Sequence, residues 1–512
     1  MDVMAPAAAP VRIGVLGRPI GCRLTRSGRI ELLVAVASRT QALTLLHDPA
    51  AGSYLPLPGR TEVGGVAAWD AEAQLVVVNL AAADGGTAGV RLVGYGPAGS
   101  TEIELAWPAG IRPAAAAGHG GGVVGLTGLD PAGRSIPGVL DLADRSVRWF
   151  GAHPGYSAAD IGPSGAHLLL AAWDGQDYTY RVLTAAGAQA GAVTGVPGLA
   201  TDLRLAGDER HAIGWHQSPV RPPTLVRWDL RTSRMQPLHG QPDRPAADPV
   251  RWHQRWQPAG GGQPRPEWVF EPDPGPAAGT VVFLHGGPRG RLNPIYDPLI
   301  AALVGAGWRV VGPNYPGSTG FGAEYRDVTC GDWGGLDADA VEARVRSLHA
   351  AAGAGPVCVY GQSHGGYLAL LVAARLPELL AGVAVWAPVT DLPRLWADAT
   401  GERRRWLAAE LGALRSDPAR LRERSPVGQL PGLSRARLLV GHGRADERCP
   451  VEQSRSLVDL LAGWSGDGSV RYLEDAAGGH APADWSGWVA AVLAHFGPAG
   501  ARRQRALEVH SG

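Results

Sequence analysis

The stretch PVCVYGQSHGGYLALLVAARL, residues 356–376, decides the fold of the C-terminal half of this chain. Its leading part, PVCVYG, predicts a short buried β-strand, and the apolar run after the glycine pair predicts a helix. Between them, small residues flank a tight turn that holds Ser363 in a strained and exposed position, as in a nucleophile elbow. The pattern G-x-S-x-G arises often by chance in a chain with 73 glycines. Because it stands here between a strand and a helix, we predict that Ser363 is a nucleophile.

Buried strands and amphipathic helices alternate on both sides of this turn. The predicted strands are 280–286, 308–314, 356–361, 382–388, 438–443 and 469–474, and the predicted helices lie near 296–306, 335–350, 364–376 and 451–463. Such alternation is typical of a doubly wound, mainly parallel α/β sheet. We therefore predict an α/β-hydrolase catalytic domain over residues 245–500 and a C-terminal tail over 501–512.

The first half of the chain has a different pattern of apolar and turn-forming residues. From residue 24 to about 244, short runs of Val, Leu and Ile are separated by Gly, Pro, Asp and Ser clusters, which favours strands over helices. Turns recur at intervals of about 44–48 residues, near the period of a four-stranded propeller blade, at Ser27-Gly28, Glu72-Ala73, Gly120-Gly121, Ser164-Gly165 and Asp208-Glu209. We predict a small β-propeller of about five units over residues 1–244, with a β-sandwich as the alternative.

The charged residues exclude several kinds of chemistry. All 47 residues counted as Lys or Arg are arginine, so the chain offers no lysine for a phosphate loop, a Schiff base or a Ser–Lys dyad. Asp and Glu also number 47, and the net charge is zero. A protein that binds nucleic acid by neutralising phosphates carries an excess of positive charge. We therefore predict no nucleic-acid partner.

The cysteines and the apolar runs indicate the compartment. Four scattered cysteines without a C-x-x-C pair disfavour a disulfide framework or a metal site and suit a reducing cytoplasm. The N-terminus is a poor secretion signal, and the apolar runs are shorter than the ~18 residues of a membrane span. We expect a cytoplasmic protein without a membrane partner.

Candidate partners for Ser363 follow it along the chain. Asp446 stands just past a predicted strand in LLVGHGRADERCP, and His480 stands in the loop after the next strand. The order Ser, acid, His is the one expected of a triad in this fold. Asp391 and Asp475 remain alternative acids.

Backbone N–H groups near the nucleophile predict an oxyanion hole. One donor is the N–H of His364, whose side chain should point away from Ser363. The second is the N–H of Gly286 or Gly287, because the glycines of LHGGPRG (284–290) let the backbone approach a bound carbonyl.

These segments resemble the prolyl-oligopeptidase family of serine peptidases, most closely its acylaminoacyl-peptidase branch. The resemblance rests on LHGGP (284–288), NYPGSTGFG (314–322), GQSHGGY (361–367), HGRADERCP (442–450) and GGH (478–480). It implies a triad of Ser363, Asp446 and His480, a preceding β-propeller that screens substrates by size, and no cofactor.

The chain departs from the family pattern at several positions. Pro316 stands where the family usually has Arg, Cys449 where it usually has Val, and Ala481-Pro482 where Gly-Phe often follows the histidine. The family typically has seven or eight blades, against about five units here. The Glu-Glu doublet of its dipeptidyl-peptidase branch is missing from the sequence, which disfavours that activity.

Three functions follow. The leading hypothesis is a serine peptidase for short peptides or N-acylated amino acids. An amidase, esterase or acyltransferase for a small acylated metabolite is the second, and a non-catalytic propeller scaffold is the third. Candidate substrate-binding residues are Tyr315, Tyr367, Arg289, Arg444 and Arg448, whereas the Arg runs at 402–406 and 501–505 predict a solvated helix face and a frayed tail.

Overall fold

The computed structural model describes seven strands between residues 18 and 96, and residues 99–497 apart from 174–177, 194–197, 220, 239–249, 260–261, 274, 278, 352–354 and 465–467. The chain divides into two compact units, residues 1–215 with 225–239 and residues 216–224 with 240–512. The predicted domain boundary after residue 244 and the predicted tail at 501–512 lie outside the described residues.

Five four-stranded sheets make up the N-terminal part, each with its strands in chain order. The first two are β1 (Arg18–Leu24), β2 (Ile30–Ala37), β3 (Ala42–Asp48) and β4 (Ser53–Pro56), then β5 (Val63–Asp70), β6 (Leu75–Ala81), β7 (Thr87–Gly96) and β8 (Gly99–Ile103). The third and fourth are β9 (Arg112–Gly120), β10 (Val123–Leu129), β11 (Ser135–Asp141) and β12 (Val147–Trp149), then β13 (Tyr156–Ile161), β14 (His167–Trp173), β15 (Tyr178–Thr184) and β16 (Gln189–Val193). The fifth is β17 (Leu199–Leu205), β18 (His211–Ser218), β19 (Arg221–Asp229) and β20 (Arg234–Pro237).

Consecutive sheets pack against each other through shared apolar cores. Residues of the second and third sheets form one buried cluster, those of the third and fourth a second, and those of the fourth and fifth a third. Two hydrogen bonds also join the fourth sheet to the fifth. Leu205 N–H donates to Asp160 Oδ2 at 2.7 Å, and Ser164 N–H donates to Glu209 Oε1 at 2.7 Å, each pair 45 residues apart.

The predicted repeat matches these sheets. The turns predicted at Gly120-Gly121, Ser164-Gly165 and Asp208-Glu209 each precede the second strand of a sheet. The two earlier turns, at Ser27-Gly28 and Glu72-Ala73, lie outside the described residues. The five predicted units therefore correspond to the five sheets.

The C-terminal unit contains one eight-stranded, mainly parallel sheet. Its strands are β21 (Val250–Ala259), β22 (Gly262–Pro272), β23 (Gly279–Leu284), β24 (Trp308–Pro313), β25 (Val357–Gln362), β26 (Gly382–Trp386), β27 (Arg437–Gly443) and β28 (Ser469–Asp475). The order across the sheet is β21-β22-β24-β23-β25-β26-β27-β28. The pairs β21–β22 and β22–β24 are antiparallel. The other six strands, β23 to β28, pair in parallel with one another. The carboxyl ends of the six parallel strands therefore meet at one edge, which confirms the predicted sheet.

Helices cover this sheet. They are α1 (Pro298–Gly305), α2 (Ala323–Asp327), α3 (Leu336–Ala350), α4 (His364–Arg375), α5 (Leu392–Asp398), α6 (Gly401–Leu411), α7 (Pro418–Glu423), α8 (Leu430–Leu433), α9 (Glu452–Ala462) and α10 (Trp485–Phe496), with short 3₁₀ turns at Pro377–Leu379, Gly412–Ser416 and Pro426–Gly428. Helix α4 lies at the centre of the core and is buried along most of its length. Within the described residues, no helix is long and apolar enough to cross a membrane.

A buried carboxylate joins β22 to α3. The Glu267 side chain is 1% exposed and accepts two hydrogen bonds from Arg344, at 2.7 and 2.9 Å. Arg255 and Gln257 of β21 also donate to Glu267. Because both Glu267 and Arg344 are shielded from water, removing one charge leaves the other without compensation.

We expect Glu267→Gln to lower the free energy of unfolding of the C-terminal unit by about 3 kcal/mol, as loss of one partner of a buried ion pair does. The measurement is a denaturant titration followed by circular dichroism. Glu271→Gln on the same strand is the control, because its 2.7 Å pair with Arg309 is partly exposed and such pairs contribute about 0–1 kcal/mol. Equal losses in the two variants would contradict this prediction.

Candidate active site

Ser363 occupies the tight turn between β25 and α4. Its backbone has φ 56° and ψ −120°, a region that a residue with a side chain seldom adopts. The surrounding backbone fixes this conformation. Ser363 N–H donates to Trp386 O at 2.9 Å, and Tyr367 N–H donates to Ser363 O at 2.9 Å. The turn therefore presents Ser363 at the carboxyl edge of the sheet.

Glycines allow this turn because the backbone passes very close to itself. A Cβ on Gly361 would lie 2.2 Å from Gly365 O, and a Cβ on Gly365 would lie 2.3 Å from Leu284 O. Both distances are far below van der Waals contact, so neither position tolerates a side chain without backbone movement. The glycines of G-Q-S-H-G are thus explained by packing.

Asp446 and His480 form a hydrogen-bonded pair beside this turn. His480 Nδ1 lies 2.8 Å from Asp446 Oδ2. The other carboxylate oxygen, Oδ1, accepts N–H bonds from Arg448 at 2.8 Å and Cys449 at 2.9 Å. Burial raises the pKa of Asp446, but hydrogen bonds from His442, from His480 and from Cys449 N–H lower it more, and the net pKa lies well below the usual range. Asp446 is therefore ionised and can hold His480 in one tautomer.

Hydrogen bonds join the Asp446 and His480 loops to each other and to the elbow. Ala445 N–H donates to Gly478 O at 2.9 Å. The side chain of Gln362, the residue before Ser363, donates to His480 O at 2.7 Å. The described contacts include no hydrogen bond between the Ser363 hydroxyl and the His480 ring. Catalytic hydrogen bonds of this kind are often long before substrate binds.

The two alternative acids have other partners. Asp391 caps the N-terminus of α5 by accepting from Arg394 N–H at 3.0 Å. Asp475 accepts backbone N–H groups of its own loop, including that of Gly478 at 2.9 Å. Of the three predicted acids, Asp446 is the one that contacts His480.

The glycine loop after β23 lies against the elbow. A Cβ on Gly286 would lie 3.6 Å from Ser363 Cβ, so the Gly286 backbone is directly beside the nucleophile. Below it, His285 is buried, stacks on Tyr315 at 4.3 Å and donates from Nδ1 to Gly286 O at 2.8 Å. This stack fixes the loop, and Gly287 is exposed next to it.

Comparison with known proteins shows what the C-terminal unit is similar to. Residues 296–496 match the sequence profile of the prolyl oligopeptidase family. This stretch, the prolyl oligopeptidase segment, makes up less than half of the chain and is similar to that family. The predicted resemblance is confirmed, and with it the class of enzyme to which the segment is related, the serine hydrolases.

Two curated relatives of the prolyl oligopeptidase segment illustrate the similarity. Dipeptidyl aminopeptidase BIII of Pseudoxanthomonas mexicana is 30% identical over 194 residues, which cover 35% of this chain and 27% of that protein. The acylamino-acid-releasing enzyme of Sus scrofa is 28% identical over 193 residues, which cover 35% of this chain and 26% of that protein. The chain therefore matches about a quarter of the length of these relatives.

Solved structures of prolyl-oligopeptidase-like proteins share the fold over most of the chain. A Mycobacterium tuberculosis puromycin-hydrolyzing peptidase aligns with a TM-score of 0.73 and 19% identity, covering 94% of this chain and 78% of that one. The Pyrococcus horikoshii acylaminoacyl peptidase aligns with a TM-score of 0.68 and 13% identity, covering 95% and 80%. The predicted α/β-hydrolase domain agrees with this shared fold.

The His364 side chain points into the core of the prolyl oligopeptidase segment. The ring is 1% exposed, and Nε2 lies 3.0 Å from Asp337 Oδ2 in α3. Trp333 packs edge-on against the ring at 4.7 Å. The His364 backbone thus remains at the start of α4 next to Ser363. Asp337 contacts the site although no sequence motif pointed to it, because nothing in the α3 sequence marks one of its acids as the partner of a buried histidine.

Both candidate tyrosines are buried and already bonded. Tyr315 is 1% exposed, and its hydroxyl donates to His285 O at 2.6 Å. Tyr367 is fully buried, and its hydroxyl donates to Arg424 O at 2.8 Å. Burial raises the pKa of both phenols well above the usual value, helped by the nearby Asp337 carboxylate. These hydroxyls support the oxyanion loop and α4.

The guanidinium groups of the three candidate arginines differ in their partners and in their exposure. Arg289 forms a two-pronged ion pair with Glu410, with both N–O distances 2.9 Å. Arg444 donates to Glu474 at 2.9 Å and is 62% exposed. Arg448 is exposed, and within the described part of the chain its guanidinium has no partner.

Helix α6 contacts three segments around the candidate active site at once. Arg403 donates to the carbonyls of Glu447 at 3.2 Å and Arg448 at 3.3 Å, beside Asp446. Glu410 pairs with Arg289, which lies in the glycine loop after β23. Trp406 packs on Trp333, 6.1 Å between ring centres, and Trp333 packs on His364. The helix face at 402–406, which the sequence predicts to be solvated, thus makes structural contacts. The run of charged residues gave no sign of them.

Burial of His285 predicts a pH dependence of stability. Burial lowers the pKa of His285 to about 4 against an opposing hydrogen bond to Gly286 O. Between pH 6.5 and about 4 the unfolded chain therefore binds more protons than the folded one, and the free energy of unfolding falls as the pH falls. The contribution of His285 is about 3 kcal/mol.

We expect His285→Gln to make the free energy of unfolding less dependent on pH across this window, because glutamine does not titrate. The measurement is denaturant unfolding of both proteins at several pH values from 7 to ~4. His349→Gln, which removes an exposed histidine at the end of α3, should leave the dependence unchanged. The same slope in wild type and His285→Gln would contradict the assignment of a neutral buried His285.

Proposed function

We propose that this protein is a serine hydrolase that cleaves amide bonds of short peptides or N-acylated amino acids through an acyl-enzyme. The observation that carries the proposal is the strained elbow at Ser363 beside the hydrogen-bonded pair of Asp446 and His480, attached to it through Gln362. This arrangement supplies a nucleophile, a base and a group that orients the base.

The first half-reaction forms an ester bond on Ser363. Its Oγ attacks the substrate carbonyl carbon while His480 Nε2 takes the hydroxyl proton. Asp446 accepts the Nδ1–H hydrogen bond and stabilises the imidazolium. The carbon–nitrogen bond then breaks, and the proton on His480 passes to the leaving nitrogen. The amine departs neutral at that step, and the acyl group stays on Ser363.

The oxyanion needs donors in place before the reaction. The N–H of His364, at the start of α4, and the N–H of Gly286 or Gly287 are positioned by the buried contacts of His364 with Asp337 and of His285 with Tyr315. Loss of one such donor typically costs 10²–10³-fold in turnover (about 3–4 kcal/mol). These buried contacts are therefore part of the proposed mechanism.

The second half-reaction is hydrolysis. Water attacks the ester carbon, gives a proton to His480 Nε2, and His480 returns that proton to Ser363 Oγ as the acid leaves. Every proton and bond is accounted for by Ser363, His480, substrate and water, so the mechanism as proposed uses no metal or organic cofactor.

The substrate class rests on the relatives. Acylamino-acid-releasing enzymes among the curated relatives support an acylated amino acid or peptide. Puromycin-hydrolyzing peptidases among the similar structures favour the second candidate, an amidase for a small acylated metabolite. A panel of acyl and peptidyl p-nitroanilides beside matched esters separates the two, since a peptidase prefers amides with an amino-acid acyl group.

The N-terminal unit consists of five sheets with the same number of strands. We propose that the five sheets are blades of a small β-propeller, supported by their equal strand number and by the packing of consecutive sheets through shared cores. If this unit limits substrate size, wild-type protein cleaves short peptides and spares folded proteins. Equal cleavage of both would remove that role.

We expect Ser363→Ala to lower kcat by roughly 10⁴-fold, as loss of a triad member does, and to abolish labelling by a fluorophosphonate. The readouts are turnover of the best p-nitroanilide and in-gel fluorescence. Ser416→Ala, at an exposed serine in the same unit, is the control and should label and turn over like wild type. Near-normal turnover of Ser363→Ala would remove Ser363 as the nucleophile.

We also propose that Arg448 binds a substrate carbonyl or carboxylate, because its exposed guanidinium lies two residues from Asp446. Arg448→Gln is expected to raise KM about tenfold with little change in kcat, the effect of losing one charge-assisted hydrogen bond. Arg444→Gln on the same loop is the control, since that guanidinium is paired with Glu474. Equal effects of the two substitutions would contradict a direct contact by Arg448.

A further inference from the structure

A cavity of about 170 Å³ adjoins the elbow on the side of α1 and α10. Gly286 and Gln362 form its border with the candidate active site, and Asp297, Tyr360 and Trp485 line the remainder together with apolar side chains. An engineered cavity of about 150 Å³ holds one benzene molecule. The space therefore suits a group of about six non-hydrogen atoms.

The position of the cavity indicates that it lies on the leaving-group side of the proposed reaction. Gly286 lies beside Ser363, and Gln362 holds the backbone of His480. Trp485 begins α10, just after the His480 loop. In the proposed mechanism His480 delivers its proton to the leaving nitrogen, so that nitrogen must lie on the His480 side of the bond. The cavity is bordered by the same segments that position His480.

Asp297 is the one residue with a formal charge among those lining the cavity. Its Oδ1 caps α1 by accepting the N–H groups of Leu299 at 2.8 Å and Ile300 at 3.0 Å. Its Oδ2 has no hydrogen bond among the described residues. Burial raises the pKa of this carboxyl against those two hydrogen bonds. A cation in the cavity would therefore pair with this carboxyl and favour its ionised form.

The remaining walls also favour a cation. Tyr360 and Phe283 lie with ring centroids 4.8 Å apart and present aromatic surface. Trp485, which also lines the cavity, is partly exposed. Aromatic faces attract ammonium groups, and they also cover the aliphatic part of a short amine. A carboxylate in this space would meet Asp297 at close range without a compensating cation.

Resting on the hydrolase function proposed above, we propose that this cavity is the leaving-group pocket and that it accepts a small amine carrying a second, positively charged nitrogen, bound by Asp297. The substrate class that follows is an acylated diamine or an acylated residue whose own short side chain is cationic. Leaving groups that end in a carboxylate, such as a free amino acid, are disfavoured.

The test varies the leaving group at a constant acyl group. Three amides of the acyl group that the p-nitroanilide panel selects are compared, formed with 1,4-diaminobutane, with butylamine and with 4-aminobutyrate. The wild-type kcat/KM should be higher for the diamine amide than for the aminobutyrate amide by at least about tenfold, the discrimination that one pocket contact provides. Amine release is followed by chromatography.

Asp297→Asn removes the charge and keeps the helix cap, since asparagine caps as well as aspartate does. The ratio of the two kcat/KM values should fall to within about twofold of unity. Asp417→Asn is the matched control. Asp417 caps α7 in the same way, accepting from Arg420 N–H at 3.0 Å, and lies outside the cavity lining.

The outcomes separate this inference from the function on which it rests. An unchanged ratio in Asp297→Asn, with hydrolysis intact, would overturn the pocket assignment alone. A shift in acyl preference at a fixed leaving group would also overturn it, because the cavity would then hold the acyl chain. Wild-type protein that neither labels with a fluorophosphonate nor turns over any amide would remove the hydrolase function itself and the pocket with it.

Discussion

The close crossing of β25, α4 and the end of β23 is the constraint on which the catalytic unit depends. Gly365 lies so near Leu284 O that a Cβ there would be 2.3 Å away. This contact forces the sharp turn at Ser363, keeps the start of α4 beside the nucleophile and brings the glycine loop after β23 alongside. One packing contact thus places Ser363 and both candidate oxyanion donors. Without it, the Asp446–His480 pair would have no defined target.

Elements defined by strong local patterns were predictable from the sequence. The parallel strands and the helices at 298–305, 336–350, 364–375 and 452–462 carry apolar runs of the right length, bounded by Gly or Pro. The elbow and the order of Asp446 and His480 were also readable, because strand-end positions in a parallel sheet meet at one edge. The structure brings Asp446 and His480 together at that edge, as their order predicts.

Contacts between distant segments were not predictable. Helices α5, α7 and α8 have only four to seven residues, too few to show a helical period, and were not assigned. Helix α6 was predicted only as a solvated helix face at 402–406. The sequence assigned no role to Gln362 or Asp337. Their roles depend on a histidine loop and a buried ring that only the folded chain places beside them. Likewise, the hydroxyls of Tyr315 and Tyr367 are committed to backbone carbonyls, which sequence proximity to the site does not reveal.

Helix α6 contacts three parts of the candidate active site. Its side chains reach the acid loop through Arg403, the glycine loop through Glu410, and the floor beneath the nucleophile through Trp406. Since all three contacts belong to one helix, a tilt of that helix would displace the proposed base, the candidate oxyanion donors and Ser363 in concert. Substitutions in α6, between β26 and β27, would then alter the geometry of the candidate site without changing a residue that lines it.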